Sequence, residues 1–295
     1  MNIFTIYHGN AVETAVLTGG SWDATLSLEK LRDPRPQLKA QSTDAQLAST
    51  LVKVSLVIPK QLLGIQLIST NFSQAAAYKV SWYSDSAFTS LVDTTGWVDV
   101  GESIDWTDTG DWPEWESEEF WLGSETFVDP SNLGRDVRVR FAAVTTMQYI
   151  KIEVDDTGNA DGNVKIGHLY IGEAFSPTLN FEPGSNRIKR VSNTSKRSTP
   201  GGARYYQRRG AGQAIVVAWP NLPMEEVLGE IDDIVQIHDI DKPVYIDLDA
   251  SNTGVIGQKT AFLATIAQLP EHSLNAVYFG EDIGASVGFE FERVL

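Results

Sequence analysis

The sequence predicts a mainly β protein, and three observations support this prediction. Most segments alternate apolar and polar residues with a period of two over roughly five to eight residues. These segments are rich in Val, Ile, Thr and aromatic residues, and turn-forming Gly, Asn, Asp and Ser separate them. A single stretch has the spacing of an amphipathic helix. Antiparallel strands with one packed helix are therefore expected.

The first part of the chain reads as a β-sandwich. The apolar segment from Met1 to Tyr7 lacks the basic region and small-residue cleavage site of a signal peptide, so it is interpreted as a first strand, and no export is expected. Ser176-Pro177 breaks the last strand, which gives a predicted domain of residues 1–176. The other strand candidates are Val52–Ile58, Gly64–Ser69, Tyr78–Ser84, Val137–Ala142, Tyr149–Val154 and Lys165–Ile171.

The remainder divides into a basic linker or extended arm, 177–212, and a barrel-like domain, 213–295. The helix of this domain is predicted over Pro223–Ile237, with proline in the first turn and Glu225 and Glu226 near the positive end of the helix dipole. Its predicted apolar stripe is Met224, Val227, Leu228, Ile231 and Val235. The predicted strands are Gln213–Trp219, Pro243–Leu248, Thr260–Gln268, Ala276–Gly280 and Val287–Arg293.

Composition excludes several function classes. The 295 residues contain 23 basic and 39 acidic side chains, for a net charge of −16, and no cysteine. Disulfide frameworks, thiolate zinc sites and cysteine nucleophiles are excluded. The acidic balance argues against a general nucleic-acid-binding surface. Apolar runs are far shorter than the roughly 20 residues of a membrane-spanning helix.

The motifs that could carry catalysis favour structural interpretations. Gly284 to Gly288 matches the G-x-S-x-G nucleophile pattern, but no histidine follows it, so a glycine-flanked strand is expected. Asp247 and Asp249 share one face of a strand without a partner nearby in sequence, and we interpret them as solvent-facing. No catalytic residue and no cofactor site are predicted, and the chain is not expected to be an enzyme.

Metal binding is considered at one loop. Asp155, Asp156, Asn159, Asp161 and Asn163 crowd a turn, and oxygen-rich loops can bind Ca²⁺. Their spacing fails the EF-hand pattern, so an Asx-rich turn is favoured over calcium. The four histidines have no ligand spacing. No metal site is predicted.

The segment 102–129 contains ten carboxylates, no Lys or Arg, and half of the tryptophans. Two interpretations stay open. Tryptophan rings could stack on sugar rings while carboxylates accept hydroxyl hydrogen bonds; alternatively, the tryptophans anchor the segment to the sandwich or to a neighbouring subunit. Anchoring is favoured. The candidate residues are Trp106, Trp112, Trp115 and Trp121.

The segment 187–209, here called the basic arm, contains eight cations and no acid. Alone it is typical of a nucleic-acid-binding arm, with Tyr205 and Tyr206 available to stack on bases. Because the rest of the chain is strongly acidic, subunit contact is favoured over nucleic acid and over an idle solvated loop. The candidate contact residues are Arg187, Lys189, Arg190, Lys196, Arg197, Arg204, Arg208 and Arg209.

Two resemblances to known families rest on these features. Residues 20–176 resemble a galactose-binding-like (discoidin-type) jelly roll, on the runs Leu28-Glu29-Lys30-Leu31, Lys53 to Ile58, Ser69 to Ser73, Tyr78 to Asp85, Tyr149 to Val154 and Lys165 to Gly172. The chain from Arg204 onward resembles the β-barrel half of distal tail (tail-tip, baseplate) proteins of bacteriophages with long non-contractile tails, on Ile215–Trp219, Pro223–Ile237, Lys242 to Asp249 and Phe289 to Glu292. In the familiar members the barrel precedes the sandwich, whereas here the order is reversed.

These resemblances imply a structural component of a phage tail tip, located in the virion after synthesis in the host cytoplasm. It would form a symmetric homo-oligomeric ring, a hexamer or a trimer, and link the tail tube to hub and fibre proteins. The alternative function is a carbohydrate-binding protein that contacts host surface glycans. A hydrolase with a carbohydrate-binding accessory domain is the weakest hypothesis, because neither part offers an acid and base pair. No nucleic-acid partner and no membrane span are expected.

Overall fold

The computed structural model describes residues 4–73, 75–100, 135–181, 187–192, 195–198, 204–207, 211–250, 260–268, 272–279 and 282–294. The fold is mainly β, as predicted, and every strand pairing recorded between the described strands is antiparallel. Within the described ranges, a helical segment at residues 224–238 accompanies the strands of the C-terminal part.

The N-terminal part is a β-sandwich whose core is a continuous set of apolar side chains. Two short 3₁₀ helices, Ala11–Glu13 and Leu28–Arg32, pack beside it. Its strands, with the chain's first strand, are β1 Thr5–His8, β2 Val16–Thr18, β3 Ala40–Gln41, β4 Val52–Thr70, β5 Ala77–Tyr83, β6 Leu91–Thr94, β7 Val98–Asp99, β8 Arg135–Asp155, β9 Lys165–Ile166 and β10 His168–Phe175.

Strands β4 and β8 are longer than predicted because each joins two predicted strands. They pair along most of their lengths, and their register shifts between Ser55 and Lys60 of β4. Val57 and Ile58 are exposed at this irregularity, and Pro59, which has no N–H to donate, lies within it. The first half of β4 buries alternate side chains in the sandwich core, whereas the second half is buried on both faces, with Ile68 in a separate apolar cluster. The irregular pairing thus interrupts the burial of β4 without ending the strand.

The C-terminal part is a second β unit with its own apolar core. Its strands are β11 Arg187–Ser192, β12 Ser195–Ser198, β13 Arg204–Gln207, β14 Ala211–Pro223, β15 Val244–Asp247, β16 Ala261–Gln268, β17 His272–Phe279 and β18 Asp282–Arg293. A main sheet path runs β11-β14-β18-β16-β15-β1-β10-β4-β8-β5-β6, while β12 pairs with β13 alone.

The helical segment covers residues 224–238, within a residue of the prediction, but it begins with a π-helical stretch, Glu226–Ile231. Helix α1, Asp232–His238, follows directly. Pro223 is the last residue of β14 and not a helical residue. The prediction that Leu228 belongs to the apolar stripe is wrong: its side chain is 54% exposed. The buried positions are Val227, Ile231 and Ile234, whose spacing of four and three residues is that of a narrow helical stripe, and Leu228 lies beside this stripe.

Strand β1 joins the two units. It pairs with β10 of the sandwich on one side and with β15 of the C-terminal unit on the other. Phe4 and Ile6 consequently belong to the C-terminal core. The predicted first strand is confirmed, and the boundaries 1–176, 177–212 and 213–295 stay predictions. No helix in the described part of the chain is long and apolar enough to cross a membrane.

Candidate functional site

The basic arm is a β-hairpin that extends from the edge of the C-terminal sheet. At its base β11 pairs with β14, from Arg187↔Val216 to Ser192↔Ala211. Further out β12 pairs with β13, from Ser195↔Gln207 to Ser198↔Arg204. The outer pair forms a separate two-stranded sheet, and β11 has no second neighbour among the described strands. The arm is therefore an ordered ribbon with an exposed outer part.

Charged side chains line this ribbon. Arg187, Arg197 and Arg204 are exposed, and none of them forms an ion pair with a described residue. Lys189 is paired at the base, where its Nζ lies 3.0 Å from Glu290 Oε1 on β18. Among the described residues, no acidic side chain therefore neutralises Arg197 or Arg204 of the outer arm.

Two tyrosines complete the outer arm. Tyr205 and Tyr206 are 64% and 59% exposed. As neighbours in one strand they point to opposite faces of the ribbon, so each face presents one aromatic ring beside cations. Tyrosine and arginine are enriched among the residues that dominate the energy of protein interfaces. The outer arm has the composition of a docking element.

The structure places the predicted site residues as follows. The arm strands bring Arg187, Lys189, Arg190, Lys196, Arg197 and Arg204 into one ribbon, and the side chains of Arg190 and Lys196 are not described. Arg208 and Arg209 lie outside the described residues, as do Trp106, Trp112, Trp115, Trp121 and the whole segment 102–129. Both interpretations of the tryptophan segment stay predictions.

A cleft of about 600 Å³ opens at the side of the sandwich, between β5, β6, β7 and the first half of β8. Rings of Trp82 and Phe141 meet there edge to face, with centroids 5.3 Å apart. Trp82 is buried, and its Nε1 has no hydrogen-bond partner among the described residues. The cleft combines aromatic, hydroxyl and carboxylate groups from Tyr78, Trp82, Asp93, Thr94, Asp99 and Phe141.

A buried ion pair joins the two units and corrects one prediction. Asp247, expected to face solvent, is 0% exposed, and its Oδ2 accepts a hydrogen bond from Arg138 Nη1 at 2.6 Å. Burial raises the pKa of Asp247, while the Arg138 guanidinium opposes this shift. The sequence gives no signal for this pair, because the two residues lie 109 positions apart.

A second carboxylate lies at the same junction. Asp136 Oδ1 accepts a hydrogen bond from the Ser69 amide at 2.8 Å, and Arg293 Nη2 lies 3.8 Å from Asp136 Oδ2. Burial raises the pKa of Asp136 to about 6, although the Ser69 amide and Arg293 favour the ionised form. Two carboxylates therefore bind basic side chains across the contact between the units.

The Asx-rich loop uses its oxygens internally. The Asp156 carboxylate accepts hydrogen bonds from the Ser73 amide at 3.0 Å and from Asn159 Nδ2 at 2.6 Å. Lys165 Nζ lies 3.0 Å from Asp161 Oδ2, so a cationic side chain already contacts this carboxylate. Within the described ranges no group of three or more acidic or histidine side chains could hold a metal ion. The turn interpretation fits these contacts better than calcium does.

The G-x-S-x-G sequence lies inside strand β18, not at a strand-to-helix turn. Ser286 pairs with Ser273 of β17, and its hydroxyl donates a hydrogen bond to the Pro220 carbonyl at 2.7 Å. The strand interpretation of this motif is confirmed.

Comparisons with known proteins give structural likenesses alone. No protein-family model and no curated protein matches the chain. One similar solved structure is the family 32 CBM (carbohydrate-binding module) from C. perfringens NanJ in complex with galactose. It is 14% identical to this chain, with a TM-score of 0.36, and the alignment covers 58% of this chain and 100% of that one.

Two further solved structures align at similar levels. CBM32-1 from a family 31 glycoside hydrolase of Clostridium perfringens is 10% identical, with a TM-score of 0.34 over 56% of this chain and 99% of that chain. Truncated AlyQ with CBM32 and alginate lyase domains is 13% identical, with a TM-score of 0.34 over 75% of this chain and 49% of that chain. The solved structures that resemble the chain thus contain carbohydrate-binding modules, at a similarity that assigns neither a family nor an activity to it.

Proposed function

We propose that the protein is a non-enzymatic structural subunit whose basic arm docks on another protein subunit. The observation that carries this proposal is the outer arm itself, an ordered ribbon with exposed Arg197, Arg204, Tyr205 and Tyr206. An exposed ribbon with this composition contributes little to its own fold, whereas its rings and cations suit burial against an acidic surface.

The assembly proposed for it is the symmetric ring of a phage tail tip that the sequence resemblance implies. The remainder of the chain supplies the acidic surface, because the net charge is −16 although the arm is basic. A head-to-tail contact between identical subunits closes into a ring when its rotation permits. Tail tube, hub and fibre proteins are the further partners proposed.

Sedimentation or size exclusion with light scattering tests the docking role. We expect the wild-type chain to associate at about 50 mM salt and to dissociate partly at about 0.5 M salt, because screening weakens exposed charge pairs. The variant Tyr205→Ser with Tyr206→Ser should associate at least about tenfold more weakly, since truncated interface tyrosines often cost more than 1 kcal/mol.

An unchanged association constant in this variant would overturn the docking role of the arm. Circular dichroism of the same variant checks that the fold persists, which the exposure of both rings leads us to expect. Retention of short duplex DNA by the wild type, lost in Arg197→Glu with Arg204→Glu, would instead favour a nucleic-acid arm.

The second candidate function is carbohydrate binding in the side cleft of the sandwich. The observation that favours it is the cleft in which Trp82 lies with Asp93 and Asp99, together with the buried Trp82 Nε1, a donor without a partner among the described residues. An unpaired buried donor is costly, and because this nitrogen is closed off from solvent, a small shift of the ring toward the cleft would be needed for a sugar hydroxyl to accept from it.

Titration with simple hexoses and their oligosaccharides, followed by NMR or calorimetry, tests this second function. Trp82→Phe removes the donor and keeps an aromatic ring, so binding should weaken at least about fivefold, the loss of roughly one hydrogen bond. Trp97→Phe is the matched control, since Trp97 is 46% exposed and Lys79 Nζ lies over its ring. Absence of binding in the wild type, or equal affinities of the Trp82→Phe variant and the wild type, would contradict the cleft as a glycan site.

A further inference from the structure

A second surface, whose charge is opposite to that of the basic arm, lies on the helical segment 224–238 and the turn that follows it. One exposed side of the helical segment carries Glu230, Asp233 and Ile237, which share it because they are spaced three and four residues apart, and Ile237 is 48% exposed. Exposed Asp239 and Ile240 follow in the turn. These five residues are called the acidic helix face.

The acidic helix face has no basic residue of its own. From residue 225 to residue 241 every ionisable side chain except His238 is an Asp or a Glu. His238 is buried, and burial lowers its pKa to about 4, so it adds no positive charge at neutral pH. Exposed aliphatic side chains rimmed by carboxylates complement the tyrosines and arginines of the basic arm.

The two surfaces leave opposite ends of one strand. Strand β14 begins at Ala211, beside the arm, and ends at Pro223, directly before the helical segment. Thirteen residues of extended chain span about 40 Å. The outer arm extends away from the sheet at the first end. The acidic helix face at the other end of β14 is therefore better placed to bind the arm of a second copy than the arm of its own chain.

We propose that the acidic helix face of one copy is the docking surface for the basic arm of a second copy. The occupant is a second copy because the chain carries both halves of the complementary pair, far apart along β14. Tyr205 and its cross-strand partner Arg197 share one face of the ribbon, and Tyr206 and Arg204 share the other. The face that docks would cover the aliphatic residues with its ring and pair with Glu230 or Asp233 through its guanidinium. This inference rests on the proposed docking role of the arm and names its receptor.

A charge exchange tests the inference. The arm variant is Arg197→Glu with Arg204→Glu, and the helix variant is Glu230→Lys with Asp233→Lys; all four residues are exposed. Each variant alone should remain at the mass of a single chain at concentrations where the wild type associates. An equimolar mixture should regain association. The acidic arm of the arm variant can then pair with the basic helix of the helix variant, and the unmodified arm of the helix variant can pair with the unmodified helix of the arm variant.

The matched control is Glu13→Lys with Glu29→Lys, which changes the net charge as the helix variant does at two exposed residues of the sandwich. It should associate like the wild type. Thermal melting of all variants checks that each remains folded.

The outcomes separate the two proposals. If the arm variant is monomeric while the helix variant associates like the wild type, the arm docks elsewhere and the helix assignment fails alone. If both variants are monomeric and their mixture also stays monomeric, the two surfaces do not pair with each other. The helix assignment then fails, while the docking role of the arm stands. If the arm variant associates like the wild type, the docking role of the arm fails together with its receptor.

Discussion

Individual buried histidines make stability depend on pH. His168 and His238 are both buried, and burial lowers the pKa of each to about 4 from the usual 6.5. His238 Nε2 accepts a hydrogen bond from the Gly9 amide at 2.9 Å, which a protonated ring could not do. Their position in the fold therefore holds both rings neutral.

We expect the free energy of unfolding to fall between about pH 7 and about pH 5. Between pH 6.5 and pH 4 the unfolded chain binds a proton at each histidine while the folded chain does not, so acid favours unfolding by about 2 kcal/mol per histidine at pH 5. Asp136, with its pKa raised to about 6, acts in the opposite direction and offsets part of this loss.

Urea titrations of the wild type and of His168→Gln at both pH values measure the effect. The free energy of unfolding should differ between the two pH values by about 2 kcal/mol less in the variant than in the wild type, whatever the absolute stability of the variant. A difference equal to that of the wild type would show that His168 titrates alike in the folded and unfolded chain.

At the scale of elements, the sequence predicted which residues form strands better than where strands end. Alternation of apolar residues predicted the strands Val52–Ile58 and Gly64–Ser69, and their residues Val52, Val54, Ile65 and Leu67 lie in the sandwich core. It could not show that the stretch between them continues one strand, because the exposed run at Val57 interrupts the alternation. An irregular pairing depends on the partner strand, which is far away in sequence.

The helical segment shows the same limit. Its position was predictable from proline, acidic residues and apolar spacing, whereas the exact set of its buried residues was not. The predicted stripe included Leu228, but the buried positions Val227, Ile231 and Ile234 form a narrower stripe, and the Leu228 side chain is 54% exposed. Apolar spacing gives the direction of the buried side but not how much of the helix circumference the neighbouring sheet covers.

At the scale of the whole molecule, contacts between the sandwich and the C-terminal unit escape prediction from sequence. The Arg138–Asp247 pair, like Asp136 with Arg293, joins residues more than a hundred positions apart. Charge patterns reveal local pairs on one element, but they carry no information on which distant carboxylate meets which guanidinium. The basic arm, by contrast, was predictable because its charge is concentrated in one continuous segment.

Removing one partner of the buried pair should destabilise the protein strongly. Arg138→Met leaves Asp247 buried without its guanidinium, and we expect a loss of about 3 to 5 kcal/mol in urea unfolding. The double variant Arg138→Met with Asp247→Leu should recover part of this loss, because two apolar side chains need no charge compensation.

The matched control is Lys60→Met, which removes an ion pair of similar length, 2.8 Å to Glu173, at a partly exposed position. It should cost less than about 1 kcal/mol. Equal losses for Arg138→Met and Lys60→Met would contradict a special role of the buried pair.

Strand β1 has a consequence for the order of folding during synthesis. Its residues leave the ribosome well before those of its partners, β10 and β15, which follow roughly 160 and 240 residues later. The sandwich strands β2 to β9 can pair before either partner is made, so β1 must wait unpaired with the apolar residues Phe4 and Ile6. At typical synthesis rates this wait lasts on the order of ten seconds or more. The nascent chain thus passes through a stage in which its first strand is open to chaperones or to wrong pairing.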